Sequence, residues 1–223
     1  MLRIFENRRE AGRLLAEKLL AYADRDGVIV LGLPRGGVPV AYEVAQRLRV
    51  PLDVFLVRKL GVPGQEELAF GAIASGGGRV LNSDLVRALR LPDSMIQRVA
   101  SSENIELNRR DRIYRGDRPF PDLTDKTVIV VDDGLATGAS MRAAVEALRK
   151  LGPKEIVVAV PVCARQTCDS FDELADVVCV CAATPEPFYG VGMWYRDFSQ
   201  TSDAEVHDLL ERSRSAPPKR NHG

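Results

Sequence analysis

Short apolar runs separated by helix-length stripes recur along the sequence, and that alternation limits the fold more than any other feature. "VIVLGL" at residues 28–33, "LDVFLV" at 52–57, "VIVV" at 128–131, "EIVVAVPVC" at 155–163 and "VVCVCA" at 177–182 are brief and rich in β-branched residues, as buried strands are. Between and before them, Ala11, Leu14, Leu15, Leu19 and Tyr22, then Val40, Ala41, Val44, Ala45 and Leu48, then Met141, Ala144, Val145, Leu148 and Leu151, recur at helical spacing. Strands that are apolar on both faces need helices on both faces. The expected fold is therefore α/β, a parallel twisted sheet flanked by helices. Ligands of such sheets sit at the carboxyl ends of the strands.

The remaining segments are less regular. "RKLGVPGQEE" after the second run, with two glycines, a proline and mixed charge, reads as an exposed loop. "LAFGAIAS" and "RVLN" read as shorter strands around "GGG", and residues 92–115 as a charged helix ending at Gly116. The stretch "TPEPFYGVGMWYRDFSQTS" reads as a long aromatic loop, a small flap over the sheet, and Ser202 with Glu205 opens a last helix at capping-box spacing. Residues 1–211 are expected to form a single domain. Residues 212–223, polar, basic and Pro-containing, are expected to be a disordered tail.

Lys plus Arg and Asp plus Glu both total 31, so nothing in the overall charge draws the chain to nucleic acid or an anionic membrane. No apolar run approaches the roughly 18 residues of a spanning helix, and the charged N-terminal stretch is no signal peptide, so a cytoplasmic location is expected. Cys163, Cys168, Cys179 and Cys181 match no common zinc spacing and are read as reduced thiols.

Three loops fall at expected strand ends: "LPRGG", "VRKLG" and "VDDGLATG". The third holds the chemistry. Asp132 and Asp133 emerge together from a buried strand, a tight loop follows, and Ala139 and Ser140 begin a helix. A helix N-terminus with free N–H groups suits a phosphate, and Thr137 and Ser140 add hydroxyls. Two carboxylates repel a phosphate, so they address hydroxyls or a divalent cation. A phosphorylated sugar meets all of these needs. The loop lacks the spacing of a P-loop and of Gly-x-Gly-x-x-Gly.

"VIVVDDGLATGAS" resembles the phosphoribosyl diphosphate (PRPP) motif of type I phosphoribosyltransferases, and the whole chain most resembles bacterial members with an Arg-Gly-Gly loop. The resemblance implies that Asp132 and Asp133 bind ribose hydroxyls. It implies that Ala136, Thr137, Gly138, Ala139 and Ser140 wrap the sugar phosphate, and that Arg35, Gly36 and Gly37 hold the pyrophosphate, with a cis peptide just before Arg35. A mobile lid carrying Arg58 and Lys59 is implied after the second strand, hinged at Gly61, Pro63 and Gly64. Ala136 stands where purine enzymes of the hypoxanthine-guanine type place an Asp, so Glu66 or Glu67 is the candidate base, as in adenine enzymes. Tyr189 or Trp194 would stack on a base and Asp197 would read it.

The implied activity is Mg²⁺-dependent transfer of the phosphoribosyl group from PRPP to a nitrogen nucleophile, a nucleobase, with release of pyrophosphate. Mg²⁺ would be held mostly by substrate and water beside Asp132 and Asp133, and a homodimer is implied. A non-catalytic PRPP or nucleotide sensor of the same fold is the alternative.

Overall fold

A computed structural model describes residues 4–172, 174 and 177–215. In chain order the elements are α1 (Arg8–Lys18), β1 (Val28–Gly32), α2 (Gly37–Leu48), β2 (Leu52–Val54), β3 (Val57–Val62), β4 (Gln65–Ala74), β5 (Arg79–Leu81), α3 (Ser83–Ala88) and α4 (Asp93–Arg115). There follow β6 (Thr127–Val131), α5 (Ala139–Arg149), β7 (Glu155–Val162), α6 (Arg165–Asp172), β8 (Val177–Ala183) and α7 (Asp203–Ser215). The main sheet runs β2-β1-β6-β7-β8 with every pair parallel, as the apolar runs require. Every residue of β1 is buried, as is β6 from Val128 to Val131. Each of these strands is covered on both sides, which is why their sequences do not alternate.

The strand order reverses between β1 and β6. From β1 the chain moves outward to β2, whereas β7 and β8 build out from β6 in the other direction. The crevice at this switch point lies outside the carboxyl ends of β1 and β6, where "PRGG" and "DDGLATG" begin.

A second sheet departs from expectation. β3, β4 and β5 form a separate antiparallel sheet that packs on α4 and α5. The segment read as an exposed loop is a hairpin, with Val62 paired to Gln65 across a Pro63-Gly64 turn. Gly64 has φ +82, the conformation a type II turn demands of the residue after proline. The hairpin's far end is exposed from Pro63 to Leu68. One-sided burial of this kind lets a strand carry Lys and Glu, which hides it among loop residues.

The ion cluster at Arg115 joins the two halves. Its guanidinium is 1% exposed, donates to Asp53 at 3.2 Å and to the Val54 carbonyl at 2.9 Å, and also contacts Asp111. It thereby ties the end of α4 to β2. Ser202 caps α7 through the Glu205 N–H at 3.1 Å, as its spacing predicts. α7 continues to Ser215, so residues 212–215, expected in the tail, are helical. The rest of the expected tail, 216–223, lies outside the described residues. Among the described residues, no helix is long and apolar enough to cross a membrane.

Candidate active site

Asp132 and Asp133 leave β6 at the switch point. Asp132 accepts the Asp133 N–H at 2.9 Å. Burial, then the neighbouring Asp133 charge, pushes the Asp132 carboxyl well above its ordinary range. Burial also raises Asp133, but Arg8 opposes that shift. The Arg8 Nε donates to Asp133 Oδ2 at 2.8 Å, and both side chains are largely shielded from solvent, at 12% and 15% exposure. Arg8 is itself fixed. It donates to the Ser199 carbonyl at 2.7 Å and lies 4.0 Å from the centre of the Phe198 ring. Two adjacent acids are thus treated differently: one is bonded to a guanidinium, and the other holds its proton more tightly because its charge is costly without a partner.

The glycines of "PRGG" do more than let a ligand approach. A Cβ on Gly36 would stand 2.1 Å from Asp133 Oδ2, and one on Gly37 would stand 2.6 Å from the Val131 carbonyl oxygen. Glycine is needed for the two loops to touch. The peptide between Pro34 and Arg35 is cis. The Gly37 N–H donates to the Leu33 carbonyl at 3.0 Å, so it is used within the turn, and the implied pyrophosphate donors narrow to Arg35 and Gly36. The Arg35 guanidinium reaches toward Asp203 at 3.9 Å, and Tyr114 donates to the same carboxylate at 2.5 Å.

Beyond the acids, Gly138 adopts φ +71 at the N-cap of α5. The Thr137 hydroxyl lies 3.4 Å from the Ala139 N–H. Ala136, Thr137, Ala139 and Ser140 are exposed and open to a ligand, whereas Gly138 is buried against Thr167 and Phe171. The first turn of α5 therefore faces the crevice beside Asp132 with its N–H groups and a partial positive charge.

The other candidates are less concentrated. Arg58 and Lys59 lie on strand β3 rather than in a loop. The Arg58 side chain turns to α4 and pairs with Glu103 at 2.5 Å. Successive strand residues point to opposite faces, so Lys59 cannot share that direction. In this conformation the two therefore do not form a single cationic end. Glu66 and Glu67 are exposed on β4, and the Glu66 carboxylate accepts the Gly64 N–H at 3.0 Å. Hydrogen bonds from its own N–H and from Gly64 hold Glu66 below its ordinary range, the wrong direction for a general base.

The aromatic loop crosses back over the sheet. Tyr195 is buried and donates to the Asp133 carbonyl at 2.6 Å. Burial first, and then the Asp133 charge, raises its phenol, so it remains a donor. Trp194 is partly buried, and its Nε1 has no hydrogen-bond partner among the described residues. Tyr189 is 78% exposed, and Asp197 is turned toward the Ser199 N–H at 2.9 Å. Asp197 lines a small cavity of about 140 Å³ with Arg8, Arg9 and Ser199. A larger cavity of about 670 Å³, near Gly27, Gln46 and Lys126, lies at the amino ends of β1 and β6, the opposite end of the strands from the "PRGG" and "DDGLATG" loops.

Arg8, Tyr195, Asp203 and Tyr114 carry no local motif. Each is seen only once the fold has brought distant segments together; Arg8 and Asp133 are 125 positions apart. Among the described residues no group of three or more His, Cys, Asp or Glu forms a metal cage. Two carboxylates of raised pKa beside an exposed anion-binding loop suit a cation shared with a substrate's oxygens and water.

The family model for the phosphoribosyl transferase domain matches residues 3–189. The chain belongs to the type I phosphoribosyltransferase family. A Mycobacterium tuberculosis protein provisionally named a phosphoribosyl transferase is 48% identical over 212 residues, 95% of this chain and 47% of its own length. The chain thus spans about half the length of the curated relatives it matches first. The bifunctional protein PyrR of Chloroflexus aurantiacus is 35% identical over 130 residues, 56% of this chain and 65% of its own. Among solved structures, TT1426 from Thermus thermophilus is 42% identical with a TM-score of 0.82, covering 94% of this chain and 98% of its own.

Proposed function

We propose that this chain is a phosphoribosyltransferase domain that binds PRPP and transfers its phosphoribosyl group to a nitrogen nucleophile, releasing pyrophosphate. One observation carries the reading: at the sheet's switch point the Arg35 loop packs against Asp132 and Asp133 through Gly36 and Gly37, and the open N-terminal turn of α5 follows on the same loop as the two carboxylates. The 5-phosphate would take the N–H groups and hydroxyls of Ala136, Thr137, Gly138, Ala139 and Ser140. Asp132 would accept from the ribose hydroxyls, and Asp133, held by Arg8 and Gly36, would fix the second hydroxyl. Arg35 and the Gly36 N–H would bind the pyrophosphate.

The acceptor nitrogen attacks the anomeric carbon as the bond to the pyrophosphate oxygen breaks. Charge grows on the leaving group, so a contact from Arg35 that strengthens with that charge accelerates the step. Asp132 and Asp133, with the substrate's own oxygens and water, would hold Mg²⁺ when PRPP binds, and the metal would supply positive charge to the departing pyrophosphate.

The ion pair between Arg58 and Glu103 favours the second reading, a PRPP sensor without turnover, because it occupies the cation that a lid would need. The test is calorimetric titration with PRPP and Mg²⁺, followed by a nucleobase screen for pyrophosphate release. Binding that survives Asp132→Asn together with Asp133→Asn would overturn the site. Binding without release for any base selects the sensor.

A further inference from the structure

The four cysteines come from three elements and meet behind the phosphate-binding loop. Cys163 lies just beyond β7, Cys168 on α6, and Cys179 and Cys181 on the same face of β8. The Cys168 and Cys179 sulfurs are 3.8 Å apart. Cys163 and Cys168 are buried, while Cys179 and Cys181 are partly accessible on the sheet's edge strand.

This cluster is mechanically close to the site. The Ala164 N–H donates to the Leu135 carbonyl at 3.0 Å, and the Thr167 hydroxyl donates to the Ala136 carbonyl at 2.6 Å. Thr167 and Phe171 of α6 fill the space beside Gly138, and Arg142 of α5 donates to Ser170 at 2.7 Å. Cys168 is the residue next to Thr167, so movement of its sulfur is movement of the loop's support.

We propose that Cys168 and Cys179 form a thiol–disulfide site, oxidised by a low-molecular-weight disulfide, whose state sets the conformation of residues 134–140. The accessible Cys179 thiolate attacks the external disulfide, forming a mixed disulfide and releasing one thiol. The Cys168 thiolate then attacks the Cys179 sulfur, the mixed disulfide breaks, and a second thiol leaves. Two protein thiols lose two electrons and two protons, and the external disulfide gains them. Cys168 suits the second attack: the neighbouring thiols, Cys163 first, hold its pKa below the ordinary range, with Arg165 adding to the effect. A disulfide bond is about 2.05 Å long, so the two sulfurs close by roughly 1.8 Å and α6 is drawn onto β8. In a reducing compartment such a bond is transient and suits sensing.

The inference rests on the proposed function only for the ligand used in its test. Purified chain is treated with oxidised glutathione, remaining thiols are blocked, and peptides are mapped by mass. Hydrogen exchange across residues 134–141 and calorimetric affinity for PRPP with Mg²⁺ are measured before oxidation, after it, and after re-reduction. The expected result is a Cys168–Cys179 linked peptide, altered exchange across the loop, and at least a fivefold loss of PRPP affinity, all reversed by reductant. Cys179→Ser should abolish the link and the response, whereas Cys181→Ser should keep both. Glutathione that stays on Cys179 or Cys181 without the internal link would overturn the proposal, as would a link that leaves exchange at 134–141 unchanged. A reduced protein that binds no PRPP refutes the function above, and the exchange measurement still decides the thiol site.

Discussion

Asp132 illustrates how a binding site costs stability. Burial and Asp133 raise its pKa, so the folded state keeps that proton to a higher pH than the unfolded chain does. Stability then falls as pH rises from the ordinary carboxylate range to the raised value, and the loss is complete above it. Asp132→Asn removes the penalty. Thermal melts should show the variant more stable than the parent at pH 7.5, by roughly 3–6 °C for each pKa unit of elevation, with the gap closing as pH approaches 4. PRPP binding should be lost in the same variant. Arg8→Met should have a different signature. Without the guanidinium the Asp133 pKa climbs further, so PRPP affinity should drop about tenfold near pH 6 and recover in part by pH 8.5. Titrations at both values check this, and equal losses would mean that Arg8 acts by packing alone. The Asp-Asp pair was legible because two charges at the end of an apolar run have no structural use. Arg8 was not, since its partner is remote in sequence and an arginine in a charged helix start looks like any solvated residue.

At the scale of elements, the five parallel strands were legible because burial on both faces leaves an unbroken apolar run. The β3–β4 hairpin was not, because its outer half carries Lys59, Pro63, Gly64, Glu66 and Glu67, the vocabulary of a loop. α3, only six residues long and capped by Asn82, was missed for lack of periods. The hairpin's attachment is testable through Arg58 and Glu103. Glu103→Gln should cost less than about 1 kcal/mol in denaturant unfolding, as half-exposed pairs do, yet free Arg58 to move. A rise in turnover with an acceptor would restore the lid reading, and no change would leave β3 a structural strand. Arg115 belongs to a different class. Arg115→Ala leaves Asp53, itself raised by burial, without its guanidinium, and should lower the unfolding free energy by about 3–5 kcal/mol.

Across the whole molecule, the crevice is built from the middle of the chain but closed by its two sides. Phe5 donates its N–H to the Trp194 carbonyl at 2.8 Å, its ring centre lies 5.4 Å from that of Tyr195, and the Arg196 N–H returns to the Phe5 carbonyl at 2.8 Å. Phe5→Ala removes a side chain that is 3% exposed. It should speed amide exchange at residues 194–197 while leaving β6 and β7 as protected as before, which exchange mass spectrometry can resolve. Order of synthesis gives this clasp a further meaning. A ribosome releases Arg8 early and the Tyr195 strap late, so a growing chain can assemble most of the sheet while Asp133 still lacks its Tyr195 bond and Arg8 still lacks the Phe198 and Ser199 that fix it. Unfinished or clipped chains would hold a nearly intact scaffold with a disarmed pocket, and an activated sugar diphosphate would not be squandered on them.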